Sequence, residues 1–147
     1  MKLETIIPLP PEDYVYNTGL IVYSIGYLEW QLLGDLCGKN DIPNEYKIEN
    51  LSKKPTGAIA NLFTDENLLN QVLDTNLKSR IRQFGEKLKS IVEKRNHIIH
   101  AHPATIEGEQ RFFRWTPSHQ IEINECYLKE IINEIELLLR QDTAFRN

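Results

Sequence analysis

The feature of the sequence that most constrains the fold is an apolar repeat with helical spacing between residues 77 and 99. Its members are mostly three or four residues apart: Leu77, Ile81, Phe84, Leu88, Ile91, Val92, Ile98 and Ile99. Pro103 follows closely, and a proline cannot continue a helix because it lacks the amide proton. The pattern therefore predicts one long amphipathic helix that buries a single face and ends near His100.

A second long helix is predicted from about Glu12, and it is apolar on more than one side. One stripe follows helical spacing through Ile21, Ile25, Leu28, Leu32 and Leu36. Another carries Leu20, Tyr23, Tyr27, Trp30 and Leu33. A helix with two apolar sides is either central to a bundle or shared with a partner subunit.

The other segments predict shorter elements. Short helices are expected over 58–63 and 65–74, a connection over 40–50, and a final helix that Asn124 caps. Prolines within residues 1–11 disfavour a helix in that segment and predict an extended arm. Residues 111–115 and 120–123 are β-leaning and flank a Pro117–Ser118 turn, which predicts a hairpin.

Together these elements predict one domain over residues 1–147. The fold class is all-α: a four- to five-helix up-and-down bundle with a short β-hairpin near residues 105–123. Two isolated cysteines, Cys37 and Cys126, favour a reduced, cytoplasmic protein over a disulfide scaffold. The first residues lack a signal-peptide pattern, and charged residues interrupt the longest apolar stretch, so no membrane association is expected.

The charge is unevenly distributed along the chain. Lys and Arg number 17 against 21 Asp and Glu, a formal net charge of −4, which argues against a general nucleic-acid binder. Residues 76–96, however, hold seven basic and two acidic side chains, a local net charge of +5. This basic segment leads directly into the polar string from Glu93 to Pro103, which holds the residues best suited to chemistry.

Three residues of that string point to phosphate chemistry. Asn96 and His100 are four apart and share a helix face. Arg95 and His100 are five apart, about 140° around the helix axis, so that a long arginine and a ring at the helix end can converge on one ligand. Arginine offers a planar cation that fits a phosphate, and histidine can move a proton near neutral pH. This is a minimal set for proton transfer at a phosphorus centre.

Arg95-Asn96-x-x-x-His100 resembles the RNxxxH form of the Rx4–6H motif of the HEPN superfamily, which sits late in a long helix of a small bundle. The resemblance implies a metal-independent endoribonuclease of the toxin or host-defence type, without a cofactor. It also implies a homodimer with a composite cleft, RNA as substrate, and an antitoxin or other regulatory protein as a further partner.

Carried onto this chain, the resemblance assigns His100 as general acid or base, Arg95 as the group that stabilises the anionic transition state, and Asn96 as the positioning residue. Products would carry 2′,3′-cyclic phosphate and 5′-hydroxyl ends. The chain departs from one pattern of the superfamily, in which a Tyr stands two residues after the motif His. Here that position is His102, which puts regulation through such a Tyr in doubt.

Basic and aromatic residues near the motif are candidates for RNA binding. The basic segment predicts an electrostatic track toward Arg95 and His100. The RNA-binding candidates are Lys87, Lys94, His97, His102 and Arg114. Aromatic residues of the hairpin, Phe112, Phe113 and Trp115, either stack bases beside that track or pack the hairpin on the bundle.

Each of these hypotheses has an alternative. Arg95 can pair with a carboxylate or with the last carbonyls of the helix. The basic segment can be an ordinary solvated helix face. His97, His100 and His102 with Glu93 can form a metal site. The whole chain can be a non-catalytic HEPN-like module that binds RNA, a nucleotide or a protein partner.

Overall fold

Three long helices and a small antiparallel sheet dominate the computed structural model, which describes residues 1–37, 39 and 41–146. The described residues form six helices: α1 (Glu12–Cys37), α2 (Ile48–Leu51), α3 (Thr56–Phe63), α4 (Glu66–Leu69), α5 (Thr75–Ile99) and α6 (Glu125–Arg146). A single 3-10 turn, Asn44–Tyr46, precedes α2. The protein is thus mainly helical, as predicted, and residues 1–11 contain no helix or strand.

The helix count differs from the predicted four to five because of one short element. α2 lies at the end of the segment that was predicted as a connection. The predicted helix over 65–74 is also shorter, since α4 ends at Leu69. Asp65 caps α4, and Asp74 caps α5 by accepting hydrogen bonds from the amides of Asn76 and Leu77. A capping residue favours the start of a new helix over continuation of the previous one.

The sheet is larger than the predicted hairpin. Its strands are β1 (His102–Ile106), β2 (Glu109–Trp115) and β3 (Gln120–Ile123), paired antiparallel in that order. The β2–β3 hairpin confirms the prediction, whereas β1 was missed. Pro103 lowers the strand signal of β1, but proline is tolerated there because β1 lies at the sheet edge. Glu107 and Gly108, both with positive φ, form the tight β1–β2 turn.

The core forms where α1, α5 and α6 present their apolar stripes. Every member of the α5 repeat is buried except Ile99, which is 53% exposed. α3 packs on α5, α1 packs on α6, and α6 packs on α5. The second stripe of α1 is different: Leu33 is buried, but Leu20, Tyr23, Tyr27 and Trp30 face outward. Within this chain α1 is therefore peripheral, not central.

Tyr14, near the start of α1, joins that helix to the sheet. Its hydroxyl donates to the carbonyl of Ile123 at 2.6 Å and accepts from the amide of Phe112 at 2.9 Å. The rings of Tyr14 and Phe112 also pack, with centroids 6.3 Å apart. The start of α1 and the middle of the sheet therefore form one unit at the end of the fold where α5 terminates.

Two expectations from the sequence concern membrane-spanning segments and the state of the cysteines. No helix among the described residues combines the length and the apolar character that crossing a membrane requires. Cys126 is an exposed free thiol, and the side chain of Cys37 lies outside the described part of the chain.

Candidate functional site at the end of helix α5

Arg95 lies in the last turns of α5, on the face that is otherwise apolar. It follows the buried Ile91 by four residues and the buried Leu88 by seven, so it continues their stripe. Its Nη2 donates to Oδ1 of the adjacent Asn96 at 3.0 Å. Its Nε is buried, and no described residue accepts a hydrogen bond from it. The alternative that Arg95 is held by a carboxylate does not apply, because no described carboxylate lies within ion-pair distance of it.

His100 is the C-cap of α5, with a fixed backbone and an exposed side chain. Its amide donates to the carbonyl of Asn96 at 3.0 Å. Its own carbonyl accepts from Nη1 of Arg114, on β2, at 3.1 Å. The helix and the sheet thus both fix the position of His100, while its imidazole stays accessible to a ligand.

Asn96 opens onto a groove between α3 and α5. The groove has a volume of about 320 Å³, and its polar lining includes Asn61, Lys89, Glu93, Asn96 and His97. Lys89 is exposed, and within the described chain its ammonium makes no hydrogen bond or ion pair. The groove therefore combines a motif amide with an available cation.

Sequence reasoning did not identify Asn61 or single out Lys89. The signal that was present lies in one glycine, Gly85, that lets α3 approach α5 closely. A Cβ at Gly85 of α5 would lie 2.7 Å from the Cβ of Phe63 on α3. Glycine permits such backbone approach, but the sequence does not say which helices approach each other.

The predicted cations Lys87 and Lys94 lie on the opposite side of α5 from this groove, facing α6. Lys94 contacts both Glu130, at 3.0 Å, and Glu134, while Lys87 donates to Gln141 at 2.5 Å. Burial lowers the pKa of Lys94, but its hydrogen bonds to the two carboxylates and their charge outweigh burial and raise it. Both cations hold α5 on α6, so the structure does not bring them together with Asn96.

The other RNA-binding candidates are also spread apart. Nδ1 of His97 pairs with the hydroxyl of Tyr127 on α6 at 2.8 Å, and burial raises the pKa of Tyr127 to about 12. Arg114 is engaged with the carbonyl of His100, as described. His102 is exposed at the start of β1, opposite Phe113 in the register.

The structure also bears on the alternative of a metal site and on the two roles considered for the hairpin aromatics. Across the described residues, no three or more His, Cys, Asp or Glu side chains converge as a metal site would require. Phe112 packs against the core, which fits the packing role, and Phe113 is half-buried. Trp115, at 57% exposure, is the member of the aromatic trio that remains open to a base.

Comparison with family models, with curated proteins and with solved structures gives no match to this chain. The site is therefore interpreted from its own residues and geometry.

Proposed function

We propose that this protein is a metal-independent endoribonuclease whose catalytic set is Arg95, Asn96 and His100. The observation that carries the proposal is the end of α5 itself. There a guanidinium is held by its neighbouring amide, and an imidazole is open to solvent one turn further on. The HEPN-like motif and the groove beside Asn96 support the same function.

The proposed reaction is an internal transesterification followed by release of the downstream RNA. The ribose 2′-oxygen forms a bond to the adjacent phosphorus as the bond from phosphorus to the 5′-oxygen breaks. His100 either accepts the 2′-hydroxyl proton while water protonates the leaving 5′-oxygen, or donates a proton to that oxygen while water accepts the 2′-hydroxyl proton. Arg95 stabilises the charge that develops on the phosphoryl oxygens, and Asn96 orients the guanidinium. The products carry 2′,3′-cyclic phosphate and 5′-hydroxyl ends.

Cleavage of single-stranded RNA and of tRNA, with the product ends mapped, tests this reaction. His100→Ala and Arg95→Ala should each reduce the rate by at least about 100-fold. His119→Ala is the matched control, because His119 is an exposed histidine in the β2–β3 turn. The rate should also persist in EDTA. Full activity of His100→Ala, or 5′-phosphate ends, would contradict the assignment.

The resemblance further implies a homodimer with a cleft shared by two subunits. Mixing the inactive Arg95→Ala and His100→Ala variants tests this feature separately. Recovery of activity on mixing means that one cleft draws residues from two motifs. No recovery, with both parent variants folded, means that each subunit acts with its own set.

A toxin or host-defence role, with cytoplasmic RNA as target and an antitoxin as partner, forms the biological part of the proposal. Induced expression of the wild type should arrest growth of a bacterial host, and His100→Ala should not. Equal growth arrest by both proteins would show that the toxicity does not depend on His100.

A second function is favoured by the engagement of Lys87, Lys94 and Arg114 inside the chain. Those contacts remove three predicted cations from an RNA track, which fits a non-catalytic module that binds RNA, a nucleotide or a protein partner. Fluorescence anisotropy with a 2′-deoxy oligonucleotide, which cannot be cleaved, measures binding, and the RNA cleavage assay measures turnover. Binding or partner capture without any cleavage of RNA supports the module.

A further inference from the structure

The proposed cleavage requires two proton transfers, and the catalytic set described above supplies one of them. A proton leaves the ribose 2′-hydroxyl, and a proton reaches the 5′-oxygen as that oxygen leaves phosphorus. His100 carries out one transfer, whereas the guanidinium of Arg95 keeps its protons and the amide of Asn96 does not titrate. Water is a weak acid and a weak base at neutral pH, so a second titrating side chain would accelerate the reaction.

His97 lies on the same side of the helix end as His100. The two residues are three apart, which places them about 60° apart around the helix axis and about 4.5 Å apart along it. His97 is half-buried and lines the groove between α3 and α5 together with Asn96. The two imidazoles can therefore approach one phosphodiester from two sides.

Tyr127 on α6 holds the ring of His97 by one nitrogen. Its hydroxyl lies 2.8 Å from Nδ1, and the two ring centroids are 6.4 Å apart. Tyr127 is itself packed against the core, so it is a firm support. Nε2 of His97 makes no hydrogen bond within the described part of the chain. An imidazole with one nitrogen held and the other free is arranged for proton transfer.

The hydroxyl of Tyr127 suits a ring that changes its charge. Burial raises the pKa of Tyr127 to about 12, so the phenol keeps its proton at neutral pH. A neutral hydroxyl can accept a hydrogen bond from Nδ1–H both before and after Nε2 loses its proton. A carboxylate in the same place would instead favour the charged imidazolium. Tyr127 therefore orients the ring without fixing its protonation state.

Charged and titrating groups of both signs from α5 and α6 surround His97 and Tyr127. They are Lys89, Glu93, Lys94, Glu130, Glu134 and the ring of His100. The ammonium of Lys94 contacts both carboxylates of α6. Lys89 and Glu93 line the groove with opposite charges. No single sign of charge therefore dominates around the ring of His97.

We propose that His97 is the second proton-transfer group of the cleavage site, paired with His100 and positioned by Tyr127. One imidazole accepts the 2′-hydroxyl proton as the 2′-oxygen bonds to phosphorus. The other donates a proton to the 5′-oxygen as its bond to phosphorus breaks, and both rings then exchange protons with solvent. Nε2 of His97 takes the place of the water molecule in the reaction given above. The inference rests on the proposed function and adds a residue to it.

The pH dependence of RNA cleavage tests the pairing. The kcat/KM of the wild type should follow a bell-shaped curve, because one ring must be neutral and the other protonated. His97→Asn keeps an amide that can bond to Tyr127 but cannot titrate. This variant and His100→Ala should each lose at least about 100-fold in rate and should lose opposite limbs of the bell. His119→Ala should keep the wild-type rate and both limbs.

A substrate with sulfur in place of the bridging 5′-oxygen identifies the acid of the pair. A thiolate leaves without being protonated, so this substrate does not need an acid. The variant that loses the alkaline limb lacks the acid, and its rate on the sulfur substrate should approach that of the wild type. The variant that loses the acidic limb should stay at least about 100-fold slow on both substrates.

The role of Tyr127 is tested by removing its hydroxyl. Tyr127→Phe should lower kcat to a value between those of the wild type and His97→Asn, with KM unchanged, because the ring of His97 is less well oriented but still present. Tyr16→Phe, which removes an exposed hydroxyl from α1, should leave kcat unchanged.

Nuclear magnetic resonance of the wild type tests the shared ligand without any turnover. A 2′-deoxy dinucleotide cannot be cleaved, and it should shift the imidazole resonances of both His97 and His100 while leaving His119 unchanged. A shift of His100 alone would place His97 outside the cleft.

Several results would overturn the proposal. Near wild-type activity of His97→Asn would show that only its contact with Tyr127 matters. Retention of both limbs by that variant, loss of the same limb as in His100→Ala, or failure of the sulfur substrate to rescue the acid variant would each refute the pairing. In all these cases an active wild type leaves the proposed function intact. A wild type that cleaves no RNA defeats the proposed function and this inference together.

Discussion

Replacing Tyr14 by Phe tests the link between α1 and the sheet. The ring stays in place, but the hydroxyl that bonds to the carbonyl of Ile123 and the amide of Phe112 is lost. Tyr14 is 3% exposed and Ile123 is fully buried, so water does not readily replace the lost partner. Leaving a buried donor or acceptor unsatisfied costs about 1–3 kcal/mol for each group. We expect the free energy of unfolding to fall by about 3 kcal/mol.

Urea denaturation followed by circular dichroism measures this loss, and thermal unfolding should show a Tm lower by about 6–12 °C. Tyr46→Phe provides a comparison with one lost bond. Among the described residues the Tyr46 hydroxyl bonds only to the carbonyl of Leu62, so about half the loss is expected. Tyr16→Phe, on an exposed ring, is the control for removal of a hydroxyl. A change below about 0.5 kcal/mol in Tyr14→Phe would refute the reasoning that this hydroxyl holds the sheet on α1.

Two further predictions concern α5 and α6. Gly85→Ala should lower stability by about 1–3 kcal/mol in urea denaturation, because its Cβ would lie 2.7 Å from that of Phe63; an unchanged midpoint would show that α3 can shift freely. Burial raises the pKa of Tyr127 to about 12, so its contribution to stability is fully present below pH 10 and is lost as the pH rises toward 12. Tyr127→Phe should therefore lose less stability than the wild type between pH 9 and pH 11.5; equal losses would contradict the linkage.

Local signals in the sequence were sufficient for the elements that carry the motif. The apolar repeat gave the extent of α5 within a few residues, and Asn124 caps α6 as expected, its Oδ1 accepting from the amide of Tyr127. These features depend on neighbours within one or two turns, where spacing and capping rules apply directly. The placement of His100 at the end of α5 follows from the same local rules.

Such local rules do not predict contacts between residues that are distant in the sequence. The charge of Lys94 predicted an RNA contact, but Glu130 and Glu134 lie 36 and 40 residues further along the chain, and only the packing of α6 on α5 brings them near. Asn61 is likewise placed in the groove by a helix pair that the sequence does not specify. An amphipathic pattern says which side of a helix is buried, not against which partner.

The contact of Tyr14 with the sheet has a consequence for the order of folding. Tyr14 and Ile123 are 109 residues apart, so α1 can dock on the sheet only after Ile123 has been synthesised and β2 and β3 have paired. Contacts of such sequence separation close slowly because of the loop entropy they require. We expect the contacts of Tyr14 to be largely absent from the transition state of folding. Substitution of Tyr14 should therefore accelerate unfolding far more than it slows folding. Until α6 is available to pack on α1, both apolar sides of α1 are exposed together, which makes this helix prone to aggregation during synthesis.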